Sequence, residues 1–149
     1  MISIKNGNVL TSKAPVIVHQ VNCMSVMGRG LAKQIRDMYP KVYTDFLDKC
    51  NEFSKNRKAL MGDVLYTEIE SGKYVASVFG QYDYGLYSQR TDLNALKMGL
   101  TNVRFFAEKH NNFVALPYGL GCERGGADWD TVSKMINDVL RKQYVEIWE

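Results

Sequence analysis

The sequence lacks the patterns that mark disulfide-linked, zinc-binding and membrane-spanning proteins. Its three cysteines, Cys23, Cys50 and Cys122, form no CxxC pair and have no histidine at ligand spacing. This usage argues against a disulfide framework and a zinc site, and it favours a reducing compartment. No apolar run approaches membrane-spanning length, and the N-terminus has no apolar signal segment. We therefore expect a cytoplasmic protein that needs no membrane, metal or cofactor.

The sequence also has little excess charge of either sign. Lysine and arginine number 19 against 16 acidic residues, which gives a net charge of +3, and the basic residues do not cluster. Such a balance suits a small anionic ligand but argues against a nucleic-acid-binding surface. With 149 residues and an apolar fraction of 46%, the chain is long enough to bury a core. We expect one domain over residues 1–149, without repeats or linkers, and a monomer.

Residues 16–40 are the most informative stretch that is present. An apolar run at residues 16–18 predicts a buried strand, and polar side chains follow it. Gly28 and Gly30 come next in a loop. A helical pattern then runs to Pro40, which ends it, and its apolar positions are Leu31, Ile35 and Met38.

A glycine loop that leads into a helix N-terminus is suited to an anion. The first N–H groups of a helix lack partners within it, and its dipole favours negative charge. The spacing is not the dinucleotide fingerprint, because position 33 is Lys and no third glycine follows, and no Gly-Lys-Ser/Thr motif marks a P-loop. A phosphate site and an ordinary strand-to-helix turn both fit this spacing.

A second glycine-rich loop, residues 117–126, follows a short apolar strand at residues 113–116, and Asp128 is placed to cap the next helix. Elsewhere the pattern predicts helices near residues 42–53 and 92–108, and strands at residues 2–5, 8–10, 64–69, 74–79 and 144–148. Helices interleaved with strands predict an α/β fold, a three-layer α/β/α sandwich with a mixed, mostly parallel sheet. Ligands of such folds bind beyond the carboxyl ends of the strands. The two loops can therefore line one cleft for a ligand with two phosphates.

At these loops the sequence resembles the macro domain, an ADP-ribose-binding α/β/α module. Residues 19–32, HQVNCMSVMGRGLA, are similar to the family's first loop, in which an Asn precedes Gly-x-Gly-hydrophobic-Ala. Residues 117–126, with Asp128 and Trp129 after them, resemble its phosphate-clasping second loop. The resemblance is strongest to a branch that contains the fungal and phage ADP-ribose-1''-phosphate phosphatases and the ADP-ribosyl glycohydrolases acting on glutamate or DNA.

The resemblance implies a ligand-binding role for each matching residue. Asn22 would hydrogen-bond the distal ribose. Asn8 stands where many members carry an Asp that holds the adenine amino group, and the uncharged amide predicts weaker adenine recognition. The full set implied to contact ADP-ribose is Asn8, Val9, Asn22, Met27, Gly28, Gly30, Leu31, Pro117, Gly119, Leu120, Gly121, Cys122 and Glu123.

For chemistry, the resemblance points to His19, three residues before Asn22, as in the fungal phosphatase. Imidazole titrates near neutrality and can exchange protons with water or a leaving oxygen. The resulting hypothesis is a phosphatase that hydrolyses ADP-ribose 1''-phosphate to ADP-ribose and phosphate, with His19 as general acid/base and Asn22 orienting the ribose or the water. Alternatively, His19 is a strand residue packed against a helix, since regular alternation places it opposite Asn22.

Two other functions remain open. One is a binder of ADP-ribose, or of a related NAD-derived nucleotide, that turns nothing over. The other is a glycohydrolase that removes ADP-ribose from protein or nucleic acid, the only context in which a nucleic-acid partner is expected. The glycohydrolases of this branch use a Lys after the strand that ends here at Phe79, and Gly80, Gln81 and Tyr82 follow instead. The loop beyond carries Tyr82, Tyr84 and Tyr87, which either cover the distal ribose or face solvent.

Overall fold

The computed structural model describes residues 1–84, 90–123 and 125–149. These residues form six strands, β1 Ile2–Lys5, β2 Val16–Val21, β3 Val64–Glu70, β4 Lys73–Phe79, β5 Phe113–Pro117 and β6 Tyr144–Trp148. They also form four α-helices, α1 Gly30–Met38, α2 Pro40–Glu52, α3 Leu93–Glu108 and α4 Trp129–Val139, and two short 3₁₀ helices, Val9–Thr11 and Arg57–Leu60. Tyr87 lies outside the described residues. Each of the described helices is too short or too polar to cross a membrane.

The strands form a single mixed sheet in the order β1-β6-β5-β2-β4-β3. All neighbouring strands pair in parallel except β3, which joins β4 as an antiparallel edge hairpin. The predicted α/β fold with a mostly parallel sheet is thus confirmed. Since β2 lies between β4 and β5 and runs parallel to both, the loops that follow these three strands emerge at one edge of the sheet.

The sheet separates two apolar cores, one on each face. Alternation along β2 shows the division: Val16 and Val18 pack with residues of α3 and α4, whereas Ile17 and Val21 pack with residues of α1 and α2. All four are 0–3% exposed. A central parallel strand buried on both faces needs apolar residues at successive positions, which explains the uninterrupted Val16-Ile17-Val18 run. The predicted three layers are therefore present.

Two local expectations were wrong. Residues 8–10, expected as a strand, enter the 3₁₀ helix Val9–Thr11, because the side chain of Asn8 caps it by accepting the Leu10 N–H at 2.9 Å. Met38, which the helical pattern placed on the same face as Leu31 and Ile35, is 57% exposed. Helix α1 ends at Met38, where the chain turns into α2, and the buried Ile35 makes the core contact instead.

Candidate functional site

A cleft of about 530 Å³ opens at the carboxyl edge of the sheet. It lies between the first loop, which we define as residues 22–29 between β2 and α1, and the second loop, for which we now use the described residues 118–123 and 125–127 between β5 and α4. The sequence-predicted residues that line it are His19, Asn22, Met27, Gly28, Gly30, Leu31, Pro117, Gly119, Leu120, Gly121 and Glu123. The structure thus brings residues of both glycine loops to one cavity.

Asn22 gives the first loop its shape. Its Oδ1 accepts the N–H of Met24 at 2.9 Å, and its Nδ2 donates to the carbonyl of Val26 at 2.9 Å. Between them Ser25 adopts a left-handed φ of 65°. Asn22 is only 7% exposed, so most of its hydrogen-bonding capacity is spent inside the loop. One amide hydrogen of Nδ2 remains for a ligand. Asn22 therefore has two roles, because it holds the loop in shape and also lines the cleft.

Arg57 holds the same loop from behind. This residue opens the 3₁₀ helix Arg57–Leu60, and its Nη1 donates to the carbonyl of Cys23 at 2.8 Å and to Oγ of Ser25 at 3.2 Å. The N–H of Cys23 in turn donates to the carbonyl of Tyr82 at 2.9 Å, in the loop after β4. The first loop is therefore anchored to two other segments, an arrangement that would keep its geometry fixed when a ligand binds.

The N-terminus of α1 opens into the cleft without a protein cap. Arg29 occupies the cap position but makes no side-chain capping bond, and the first turn contains no acidic residue. The N–H groups of Gly30 and Leu31 have no acceptor among the described residues. Unsatisfied N–H groups and the positive end of the helix dipole both favour an external anion.

The second loop leaves alternate N–H groups unpaired. Leu120 and Cys122 donate their N–H groups within the turn, to Pro117 at 3.2 Å and to Gly119 at 2.8 Å. The N–H groups of Gly119, Gly121 and Glu123 have no acceptor in the part of the chain that the structure describes. These are the donors that the loop can offer to a phosphate. Cys122, which the sequence placed among the clasping residues, is absent from the cleft lining and uses its N–H in the turn.

A buried amide network supports the second loop from below. Gln20 Nε2 donates to Oε1 of Gln81 at 2.8 Å and to Oγ1 of Thr91 at 2.7 Å, and Thr91 donates to the carbonyl of Gly121 at 2.7 Å. A Cβ on Gly125 would collide with Thr91 Oγ1 and with the Gly121 carbonyl. The network therefore ties β2, the loop after β4 and the second loop together. Sequence reasoning missed it, because its members are distant in the chain and only the fold joins them.

His19 lies at the floor of the cleft but is buried. It is 2% exposed, and its Nε2 lies 2.7 Å from Oγ of Ser77 on β4. Its Nδ1 has no hydrogen-bond partner among the described residues. Burial lowers the pKa of His19 to about 4, since charging a desolvated imidazole is costly. The side chain is consequently neutral at physiological pH in the ligand-free protein.

A smaller side cavity of about 330 Å³ adjoins the cleft and shares Leu31 and Pro117 with it. Its remaining lining residues are Gly7, Asn8, Val9, Gln34 and Trp148. Asn8 and Val9 were predicted as ligand-binding residues, whereas Gln34 and Trp148 were not. The two cavities together form an elongated site, with the α1 N-terminus at their junction.

The comparison with protein-family models decides the family. The model of the macro domain matches residues 18–136, a range that includes both loops and the network beneath them. The chain belongs to the macro domain family.

Relatives of this macro domain carry two different enzyme names. It is 26% identical over 139 residues to a DNA ADP-ribosyl glycohydrolase of Mycobacterium tuberculosis, covering 91% of this chain and 38% of that protein. It is 29% identical over 115 residues to an ADP-ribose 1''-phosphate phosphatase of Saccharomyces cerevisiae, covering 72% of this chain and 62% of that one. The chain thus spans less than two thirds of the length of either relative.

A solved structure shares the fold. Thermosipho africanus DarTG in complex with ADP-ribose matches with a TM-score of 0.80 and 22% identity, over 99% of this chain and 41% of that one. At this identity the match establishes the shared macro domain architecture.

Two cysteine thiols, that of Cys23 in the first loop and that of Cys122 in the second loop, are protonated at neutral pH. Burial, with a smaller contribution from Cys50, raises the pKa of Cys23 to about 12, although Arg57 opposes the shift. Burial and the nearby Asp128 raise the pKa of Cys122 to about 11. Thiols of this kind are poor nucleophiles. Among the described residues, no cluster of His, Cys, Asp and Glu side chains could hold a metal ion.

The tyrosine-rich loop after β4 also reaches the site. Tyr84 lines the cleft and is 58% exposed, while Lys58 covers the ring of Tyr82, with its Nζ 5.3 Å from the ring centroid. Gln81, from the same loop, lines the cleft as well. From the sequence, the tyrosines of this loop were expected either to cover the distal ribose or to face solvent, with no basis for choosing among them. Of the two tyrosines of this loop that the structure describes, Tyr84 lines the cleft and Tyr82 does not.

Proposed function

We propose that this macro domain binds ADP-ribose or an ADP-ribose derivative in the elongated site. The supporting observation is that unpaired N–H groups line one cleft from two sides, those of Gly30 and Leu31 at the N-terminus of α1 and those of Gly119 and Gly121 in the second loop. Such backbone donors suit a diphosphate. The side cavity then takes the base, and the distal ribose lies near Asn22. The solved neighbour in complex with ADP-ribose agrees with this choice of ligand.

We further propose that the substrate is ADP-ribose 1''-phosphate and that the reaction is hydrolysis of its terminal phosphate. Water attacks phosphorus, the bond between phosphorus and the C1'' oxygen breaks, and that oxygen takes up a proton as phosphate leaves. His19 is the candidate group for the proton transfers, since its Nδ1 is unpaired in the described structure and the residue lines the cleft. A phosphate dianion beside the imidazole would raise its lowered pKa, because an opposite charge favours the protonated form. The phosphatase name of the yeast relative supports this assignment.

Phosphate release from ADP-ribose 1''-phosphate tests the activity directly. We expect wild-type protein to release phosphate and His19→Ala to lose most of that turnover, by about 10²-fold or more, as is typical when a proton-transfer group is removed. His110→Ala is the matched control, because His110 stacks on Phe106 with ring centroids 4.2 Å apart and does not line the cleft. Full turnover by His19→Ala would exclude the proposed role.

The second candidate function is binding without turnover, and the burial of His19 favours it. A neutral imidazole with a pKa of about 4 is a weak general base in the free protein. Calorimetric titration with ADP-ribose and the phosphate assay separate the two functions, since a binder shows heat of binding and no phosphate release. Absence of ADP-ribose binding at millimolar concentration would contradict both proposals.

A glycohydrolase is the third candidate, and the names of the mycobacterial relatives support it. The resemblance implies that such an enzyme needs a lysine from the loop after β4. That loop contributes Gln81 and Tyr84, and none of the described residues lining the cleft is a lysine. Incubation with ADP-ribosylated DNA and ADP-ribosylated protein tests this function. Release of ADP-ribose from either substrate would replace the phosphatase proposal.

A further inference from the structure

The side cavity is lined by amides and apolar groups, with no charge. Of the described residues that line it, three have side chains with hydrogen-bonding groups: Asn8, Gln34 and Trp148. None of these lining residues has an ionisable side chain. Val9, Leu31 and Pro117 supply apolar surface. The cavity therefore suits a planar heteroaromatic ring whose polar edge is read by a neutral amide.

The wall formed by Trp148 is fixed by a buried carboxylate. Glu146 is 8% exposed and accepts from the indole Nε1 of Trp148 at 3.0 Å and from Oγ of Ser12 at 2.6 Å. Because its N–H is already engaged, the indole offers the cavity only its ring surface. Polar recognition of a base in this cavity is thus left to Asn8 and Gln34.

The orientation of both amides follows from one backbone group. The N–H of Leu10 can only donate, so the atom of Asn8 that lies 2.9 Å from it must be the carbonyl oxygen. Asn8 Nδ2 then faces Gln34 and donates to its Oε1 at 3.3 Å. Gln34 is exposed, and with its oxygen engaged it offers the donor group Nε2 to a ligand.

We propose that the side cavity does not select a 6-amino purine and takes a 6-oxo purine at least as well. This inference rests on the proposed function, since it concerns the base of the bound nucleotide. Gln34 Nε2 can donate to the O6 of hypoxanthine, whereas adenine carries an amino donor at the same position. Residue 8 sets this preference through Gln34. An Asp at position 8 would still cap Leu10 N–H but would accept from Gln34 Nε2, which turns the oxygen of Gln34 towards the base.

The test compares ADP-ribose with its hypoxanthine counterpart, inosine-diphosphate-ribose, by calorimetric titration. For the wild type we expect the inosine compound to bind within about fivefold of ADP-ribose or more tightly. For Asn8→Asp we expect the affinity ratio to move by about fivefold or more towards ADP-ribose, the effect of exchanging one matched hydrogen bond for a mismatched one. Both ligands carry the same diphosphate, so the added negative charge affects them equally and cancels in the ratio.

Gln34→Ala provides the control for the route of the effect. In this background Asn8→Asp should move the ratio by less than it does in the presence of Gln34, because only a direct contact between residue 8 and the base remains. A wild type that binds ADP-ribose more than fivefold tighter than the inosine compound would overturn the inference while leaving the proposed function intact. An unchanged ratio in Asn8→Asp would also overturn it. Failure of both nucleotides to bind would instead remove the proposed function on which the inference rests.

Discussion

Gly28 is a glycine that the protein itself does not need. Its φ is not in the left-handed region, and a Cβ built on it would meet only Val26 Cγ1, at 3.9 Å. Gly30, Gly119 and Gly121 differ, because their φ values of 57°, 77° and 75° are strained for other residues. We therefore infer that position 28 lacks a side chain because of the cleft, where a Cβ would keep the proposed ligand from approaching the backbone.

Gly28→Ala should separate binding from stability. We expect the free energy of unfolding to stay within about 0.5 kcal/mol of wild type, since the new methyl group meets no clash. The affinity for ADP-ribose should fall by about tenfold or more, because the methyl group would occupy space that we propose for the diphosphate. Urea unfolding and calorimetric titration measure the two quantities. Gly125→Ala is the contrasting variant, and we expect it to lose stability because its Cβ would collide with Thr91. Unaltered affinity in Gly28→Ala would count against a ligand at this loop.

The short 3₁₀ helix Arg57–Leu60 supports the first loop of the cleft. Its Arg57 makes the two hydrogen bonds that brace the first loop, although it does not itself line the cleft. We expect Arg57→Ala to weaken ADP-ribose binding by about tenfold. Without Arg57 the first loop is less ordered, so more conformational entropy is lost when the ligand binds. Hydrogen exchange in residues 23–27 should become faster in this variant.

Lys55→Ala is the control for that prediction. It removes the same charge from the neighbouring chain segment, but Lys55 is exposed and makes no hydrogen bond or ion pair among the described residues. Equal losses of affinity in the two variants would show that long-range charge, not bracing of the loop, is responsible.

Elements whose cause is local could be predicted from the sequence. Asp92 and Asp128 cap α3 and α4 by accepting from the N–H groups of Ala95 and Thr131, at 3.0 Å in both cases. Capping of this kind depends on residues three positions apart, so the pattern contains it. The conformation of residues 8–10 was mispredicted because the side chain of Asn8 accepts a backbone hydrogen bond that would otherwise be available for strand pairing. The alternation of apolar residues contains no information about this competition.

Parts of the site that depend on distant segments could not be predicted. One hydrogen bond of the Gln20 network joins residues 71 positions apart, and the partner of His19 is 58 positions away on a strand paired with its own. The sequence marked His19 as chemically interesting, but it could not show how deeply the side chain is buried. Burial and pairing are properties of the assembled sheet, and they determine the pKa of this residue.

At the scale of the whole molecule, burial of His19 links folding to pH. The folded pKa is about 4 and the ordinary value is 6.5. Between these values the unfolded chain binds more protons than the folded protein, so stability rises with pH. The contribution of His19 is therefore fully present above about pH 6.5 and is lost as pH falls towards 4. The shift corresponds to about 3 kcal/mol over this window.

His19→Gln should flatten this part of the stability curve. Glutamine does not titrate and can keep a hydrogen bond to Ser77, so the variant should lose less stability than wild type between pH 7 and pH 4.5. Urea unfolding at several pH values measures the difference, and subtracting the two curves removes the contribution of the carboxylates common to both proteins. Parallel curves for wild type and His19→Gln would show that the imidazole is hydrated in the folded protein, and a hydrated His19 would be a stronger candidate for proton transfer at neutral pH.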